Sequence, residues 1–241
     1  MLSIHKLAKK FGTKTAIADL SIEIKAGEIF TLIGPNGSGK TTTIKIIAGL
    51  LQPSAGSVRI SDFDITKDPI KAKAMLGYIP DEPSVWSGMT GEEFLHFSGA
   101  LYGLDRATRN KRISRWLADF SLQGIEKEYF ENYSRGNKQK FTIIAAMMHE
   151  PKLLLIDEPI VGLDPTSAEI AKNKFVAFAK SGGAVLLATH TLPVAEEIAS
   201  RIGILAKGSL VAAGTFVELR SLSHLSPQAT LEAVYHAATK T

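Results

Sequence analysis

Eight consecutive residues, Gly34-Pro35-Asn36-Gly37-Ser38-Gly39-Lys40-Thr41, have the types and spacing needed to hold a run of phosphates. Glycines let successive backbone N–H groups turn inward around phosphate oxygens. A helix starting near Lys40 adds its positive end, and Thr42 lies in its first turn. Lys40 would reach the terminal phosphates, and the Thr41 hydroxyl would ligate Mg²⁺. A second set of groups lies in "LLLIDEP", residues 153–159, where two acids follow four apolar residues. Asp157, ending a strand, suits Mg²⁺, directly or through water. The Glu158 carboxylate suits polarising an attacking water. Kinases and GTPases share such a pair, so it does not name the class alone. The base-reading NKxD of GTPases is absent.

These groups need elements to place them. "EIFTLI" (28–33) reads as the strand feeding the Gly-rich loop, and "TIKIIAGL" (43–50) as the amphipathic helix leaving it. "SIEI" (21–24), separated from 28–33 by "KAG", reads as that strand's pairing partner. "SVRI" (57–60) and "AMLGYIP" (74–80) read as further strands, the latter stopped by Pro80. From about Glu92 to Glu150 the pattern is mostly helical, with a basic run at 106–115 that reads as a solvated face. "KLLLID" is continuously apolar, as in the middle of a parallel sheet. A helical segment at 166–180 and the strand "AVLLATH" complete a βαβ-like unit. "RIGILAKGSLVAAG" predicts a hairpin turning at Lys207-Gly208, and the tail places Leu231, Val234, Tyr235 and Ala238 on one helix face.

Composition sets the outer bounds. With 241 residues, 45% of them hydrophobic, the chain can bury a large core. A net charge of +4 is too mild to imply nucleic-acid binding and fits a polyanionic ligand or an anionic surface. There is no Cys, which weakly suits a reducing compartment. The N-terminus lacks the apolar core of a signal peptide, and no apolar run approaches the ~20 residues of a membrane span.

"ENYSRGNKQK", residues 131–140, looks in isolation like a solvated basic loop. Ser134, however, is a good N-cap for a helix carrying Phe141, Ile144, Ala145 and Met148 at core spacing. Gly136 removes a side chain where a phosphate would approach the backbone, and the helix dipole points at that ligand. The order "GPNGSGKT … YSRGNKQK … LLLIDEP … GLDP … LLATH" resembles the nucleotide-binding subunit of ATP-binding cassette (ABC) transporters, exporter-like branch, over almost the whole chain.

The resemblance implies an α/β P-loop NTPase core, RecA-like, with a mostly parallel sheet, antiparallel N-terminal strands and an inserted helical subdomain. It places one ABC ATPase domain at 1–220, with its core at 1–83 and 152–220 and the helical subdomain at about 84–151. A short helical tail follows at 221–241. ATP and Mg²⁺ are the implied ligands, bound in a head-to-tail dimer with a second copy or a related subunit. Tyr133-Ser134-Arg135-Gly136-Asn137 matches the signature motif that faces the partner's ATP. His190 matches the histidine that contacts the γ-phosphate. Asp164 matches a loop across the dimer interface, and Phe11 the aromatic that stacks on adenine. The family usually carries Gln where Asp81 stands; Asp81 could ligate Mg²⁺ but adds negative charge. Arg135 replaces a Gly and Asn137 a Gln, and Arg135 could reach phosphate or pair with an acid across the dimer.

The implied partner is an integral membrane permease, so the subunit would be cytoplasmic and peripheral on the inner face of the membrane. Trp86, Met89 and apolar neighbours within 84–103 are its candidate docking groove. The basic run could also touch anionic headgroups. The closing "TLEAVYHAAT" resembles the drug- and polysaccharide-exporter branch. A soluble ABC ATPase working on nucleic acid or ribosomes is the competing class. It usually brings an inserted coiled coil or a second cassette, neither of which is present, so no nucleic-acid partner is expected. A P-loop kinase would leave the signature, Asp164 and His190 unexplained.

Overall fold

The structure, a computed structural model, describes every residue except Ser84, Val161, Lys240 and Thr241. The first residues of the 84–103 and "VGLDP" segments and the end of the tail therefore lie outside the described residues. The strands are β1 (Leu2–Phe11), β2 (Lys14–Ile24), β3 (Ile29–Ile33), β4 (Ala55–Ile60), β5 (Phe63–Asp64), β6 (Leu76–Ile79), β7 (Leu153–Asp157), β8 (Ala184–Thr189), β9 (Arg201–Ala206) and β10 (Ser209–Gly214). The helices are α1 (Lys40–Ile47), α2 (Pro69–Ala74), α3 (Gly91–Leu101), α4 (Arg106–Asp119), α5 (Arg135–Met147), α6 (Pro165–Lys180), α7 (Leu192–Ile198), α8 (Phe216–Leu222) and α9 (Leu231–Thr239).

The strands form one sheet in the order β5-β4-β1-β2-β10-β9-β3-β8-β7-β6. Its centre is parallel: β3 lies between β9 and β8, and β7 between β8 and β6. Every residue of β3, β7 and β8 is buried, which explains why they are apolar except for Thr31 and the terminal Asp157 and Thr189. Alternate residues serve opposite faces. Phe30, Leu32, Leu153, Leu155, Leu186 and Ala188 pack with α1, while Leu154, Ile156, Val185 and Leu187 pack under α3–α6. The N-terminal strands β1, β2, β4 and β5 pair antiparallel, as expected.

One expectation fails. The 21–24 segment does not pair with 28–33: β2 pairs with β1 and touches β10, and β3 enters the middle of the sheet. The "KAG" turn, closed by the Glu28 carboxylate accepting the Lys25 N–H at 2.8 Å, is a crossover and not a hairpin. A strand apolar on both faces needs neighbours on both edges and a layer on each side, which an antiparallel partner at the sheet margin cannot supply. The β9–β10 hairpin does turn at Lys207-Gly208, with φ of 49° and 80°, the positive values a tight primed turn requires. On α9, Leu231 and Val234 are buried, with Tyr235 and Ala238 against the same cluster.

The parallel strands all point their carboxyl ends the same way. The Gly-rich loop after β3, Asp157 at the end of β7, His190 after β8 and Asp81 after β6 are thereby gathered at one edge, where ligands bind in open α/β sheets.

Candidate active site

The Gly-rich loop turns directly into α1. Gly39 sits at the helix start with φ 110°, a left-handed value that only glycine adopts freely, and an added Cβ would lie 2.7 Å from the Ala16 carbonyl oxygen. No side chain caps α1 and no acid stands in its first turn, so its leading N–H groups are open to an anion. The buried Lys40 ammonium donates to the carbonyls of Gly34 (2.7 Å) and Pro35 (3.2 Å). Desolvation lowers its pKa, against the raising influence of Glu158 and then Asp157. The Ser38 hydroxyl is buried without a protein partner among the described residues. An uncapped helix start, a buried cation and an orphan hydroxyl fit a phosphate chain.

Thr41 Oγ1 donates to Asp157 Oδ1 at 3.2 Å, joining the end of β7 to the start of α1. Asp157 is almost fully buried, and burial pushes its carboxyl pKa up, opposed by the Thr41 hydrogen bond and reinforced by Asp81 and Glu158. A hydroxyl and a carboxylate side by side are hard oxygen donors. They suit Mg²⁺, which takes few protein ligands and keeps waters and phosphate oxygens for the rest. Among the described residues no cluster of three or more His, Cys, Asp or Glu offers a self-sufficient metal site.

Glu158 has φ 49°, a left-handed backbone that costs a non-glycine residue on the order of 1 kcal/mol or more. The surrounding bonds over-determine it. Its Oε1 accepts the His190 backbone N–H at 2.7 Å and lies 2.6 Å from His190 Nδ1, and its Oε2 accepts the Thr189 hydroxyl at 2.8 Å. An ionised carboxylate only accepts, so Nδ1 carries the proton of that contact. Glu158, His190, Phe11, Asn36, Gly37, Gly39, Lys40, Thr41, Thr42, Asp81 and Arg135 line one cavity of about 680 Å³, within the range of small-ligand sites. Phe11 is 47% exposed there, with one ring face beside the Lys9 ammonium.

Residues 134–137 divide. Ser134 Oγ caps α5 by accepting the Asn137 N–H at 3.2 Å. Gly136 faces the loop after Glu158: an added Cβ would lie 2.6 Å from the Gly162 carbonyl oxygen. Arg135 runs its side chain past the same Gly162 and pairs with Asp81 of its own chain at 3.2 Å. Of residues 134–137, only Arg135 lines the cavity of its own phosphate loop. Asp164 caps α6 through Ser167 and pairs with Lys140 at 3.1 Å, and these donors, Ser167 first, hold its carboxyl well below the usual range.

Residues 17–161 match the family model described as "ABC transporter". The chain is 36% identical over 221 residues to the linearmycin resistance ATP-binding protein LnrL of Bacillus subtilis, covering 92% of this chain and 71% of that one. It is 33% identical over 240 residues to the ABC-type transporter ATP-binding protein EcsA of the same organism, covering 100% and 97%. The chain belongs to the ABC transporter family. A solved structure of an ATP-binding subunit of an ABC transporter superposes with TM-score 0.95 at 32% identity, covering 99% of both chains. A dimeric cassette bound to ADP and Pi shares the fold, with TM-score 0.81 at 24% identity over 89% of this chain and 98% of that one. This protein is thus an ATP-binding, ATP-hydrolysing ABC cassette.

Two residues of the cassette's site escape sequence reasoning. Thr189, one position before His190, grips Glu158; a hydroxyl closing an otherwise apolar strand was the available signal. Gln139 is buried in α5 and reaches toward Pro80 and Pro159, and only its place one turn after Arg135 hints at this.

Asp157→Asn should separate stability from metal binding. The folded chain holds the Asp157 proton more tightly than the unfolded chain does. Stability from this group therefore falls as pH rises from the ordinary carboxylate value to the raised folded one, and the penalty is complete above it. Asn keeps an acceptor for Thr41 without the buried charge. Thermal unfolding of the variant at neutral pH should rise by about 2–4 °C, while the gain in nucleotide affinity on adding Mg²⁺ disappears. A lowered midpoint with Mg²⁺ linkage intact contradicts this.

Proposed function

We propose that the cassette binds MgATP in the cavity above its phosphate loop, hydrolyses it at a head-to-tail dimer interface and powers a separate membrane-spanning subunit, in the export direction. The observation that carries this is the Glu158 carboxylate, fixed by Thr189 and His190 on the rim of the cavity entered by Lys40 and the open end of α1. Phe11 stacks on adenine. Backbone N–H groups of 36–41 and Lys40 take up phosphate charge, and Glu158 orients or deprotonates the attacking water for in-line displacement. His190, held through Nδ1, turns its other ring nitrogen toward the γ-phosphate. Thr41 and Asp157 would hold Mg²⁺, which would supply positive charge to the phosphates, while Asp81, from the segment after β6, is engaged by Arg135.

Ser134 and Gly136 of one copy complete the site of the other, with Asn137 beside them and Asp164 at the interface. Their absence from the cavity of their own chain favours this. The nucleotide then binds the closed pair better than the open one, and hydrolysis releases the difference. The core at 1–83 and 152–220 would carry the nucleotide, and the helical part near 84–151 would carry the signature.

A membrane partner fits two facts. Among the described residues no helix is long and apolar enough to cross a membrane. The relatives named above are transporter or resistance ATP-binding proteins. Trp86 is 58% exposed and meets Phe97, itself 41% exposed, edge to face at 5.4 Å, a surface apolar pair suited to a docked helix. Met89 turns inward onto the core under α3–α6 and would back the groove. Trp86→Glu should retain ATP binding and weaken co-purification of a polytopic membrane subunit from detergent extracts by at least about tenfold, as for an aromatic anchor. Undiminished recovery contradicts this docking site, and recovery of RNA or DNA in place of a membrane protein favours the soluble alternative.

A further inference from the structure

Asp81 adds its carboxylate to the cavity that Glu158 lines, within electrostatic reach of the buried Asp157. Its influence is felt there: Tyr78 is pushed up to about 12, by burial first and then by Asp157 and Asp81. Left alone, that charge would face the polyphosphate this cavity receives. It is not alone. Arg135 Nη2 lies 3.2 Å from Asp81 Oδ1 and 3.4 Å from the Asp81 carbonyl oxygen, and both residues line the phosphate-loop cavity.

The approach is fixed by the helix that carries it. Gln139 lies one turn after Arg135 on the same face of α5. It is 1% exposed, and its Nε2 reaches the carbonyls of Pro80 and Pro159, each at 3.4 Å. Pro80 precedes Asp81 and Pro159 follows Glu158, so α5 meets the chain beside both acids. Arg135 therefore finds Asp81 within its own subunit, 54 residues away.

We propose that Arg135 and Asp81 are a compensating pair that sets the affinity of this cavity for nucleotide, the guanidinium of the signature turn balancing in cis the carboxylate placed beside the phosphate loop. Arg135 thus serves the nucleotide of its own chain, while Ser134 and Gly136 serve the partner's. The inference rests on the reading that the cavity holds MgATP. It treats the two departures from the family pattern, Asp81 and Arg135, as one change. Both side chains are about half exposed, so salt screens the effect.

The test is a double-mutant cycle on the purified full chain, read by calorimetric titration with MgATP, with unfolding midpoints recorded for each variant. Arg135→Ala should weaken binding about three- to tenfold by leaving Asp81 unbalanced. Arg135→Lys should keep most of the affinity. Asp81→Asn alone should bind as well as the parent or better. The double variant Asp81→Asn/Arg135→Ala should return to within about twofold of the parent, and the spread should shrink as salt is raised. A double variant as weak as Arg135→Ala, or weaker, overturns the proposal, as does an Arg135→Ala chain of parental affinity. A parent chain that fails to bind MgATP overturns the underlying reading of the cavity as well.

Discussion

Glu158→Gln should lower the rate of ATP hydrolysis about 10²- to 10⁴-fold, the contribution of a positioned general base, and leave ATP binding nearly unchanged. The geometry explains why the loss should be so selective. Gln is isosteric, and its amide oxygen still accepts from the His190 N–H while its NH₂ donates to the Thr189 hydroxyl, which can accept. The left-handed backbone at residue 158 and the walls of the cavity therefore stay as they are. What disappears is the lone pair that takes a proton from water. The variant should accumulate with ATP bound, in the closed dimeric form. Single-turnover hydrolysis measured beside equilibrium ATP binding checks this. Full turnover in the variant removes Glu158 from the chemistry; a matching loss of binding assigns it to nucleotide contact instead.

Lys40→Met acts on the other side of the bond. The Lys40 ammonium is buried against the Gly34 and Pro35 carbonyls, where it is placed to follow phosphate oxygens. Charge-assisted hydrogen bonds contribute about 1.5–3 kcal/mol each. Losing one or two should weaken ATP binding roughly 10- to 10⁴-fold at 1.4 kcal/mol per decade. The fold should not suffer in proportion. Burial lowers the Lys40 pKa, so the charge is already unfavourable without a phosphate, and Met fills a similar volume. ATP affinity measured beside the unfolding midpoint separates the two effects. Equal losses in both would make Lys40 a structural residue.

The parts of this site that were legible in the sequence are the local ones. Gly34–Thr41 could be read because phosphate cradling demands glycines and a helix start within eight consecutive positions. β7 and β8 could be read because strands buried on both faces have nothing but apolar residues until a functional group ends them. The Lys207-Gly208 turn and the N-cap at Ser134 are likewise short-range. What stayed hidden depends on contacts between distant segments. The neighbours of β3 are set by crossovers, so its nearness in sequence to β2 misled. Glu158 meets Thr189 and His190 across 31 and 32 residues, and Arg135 meets Asp81 across 54. The family resemblance left Arg135 to reach phosphate or to pair with an acid across the dimer; packing of α5 against the end of β6 supplies an acid in the same chain.

The central claim is that each hydrolytic site is built from two chains, and one measurement addresses it directly. Lys40→Met has a damaged phosphate loop and an intact signature. Ser134→Arg, at an exposed helix start, has the reverse. Each alone should be nearly inactive. When the two purified variants are mixed, hybrid dimers place the sound loop of one chain against the sound signature of the other, and hydrolysis should reappear at up to about one quarter of the parent rate, since half of the dimers would hold one intact site of two. Activity that stays at the level of the separate variants would mean that every site is complete within a single chain, contradicting the shared site.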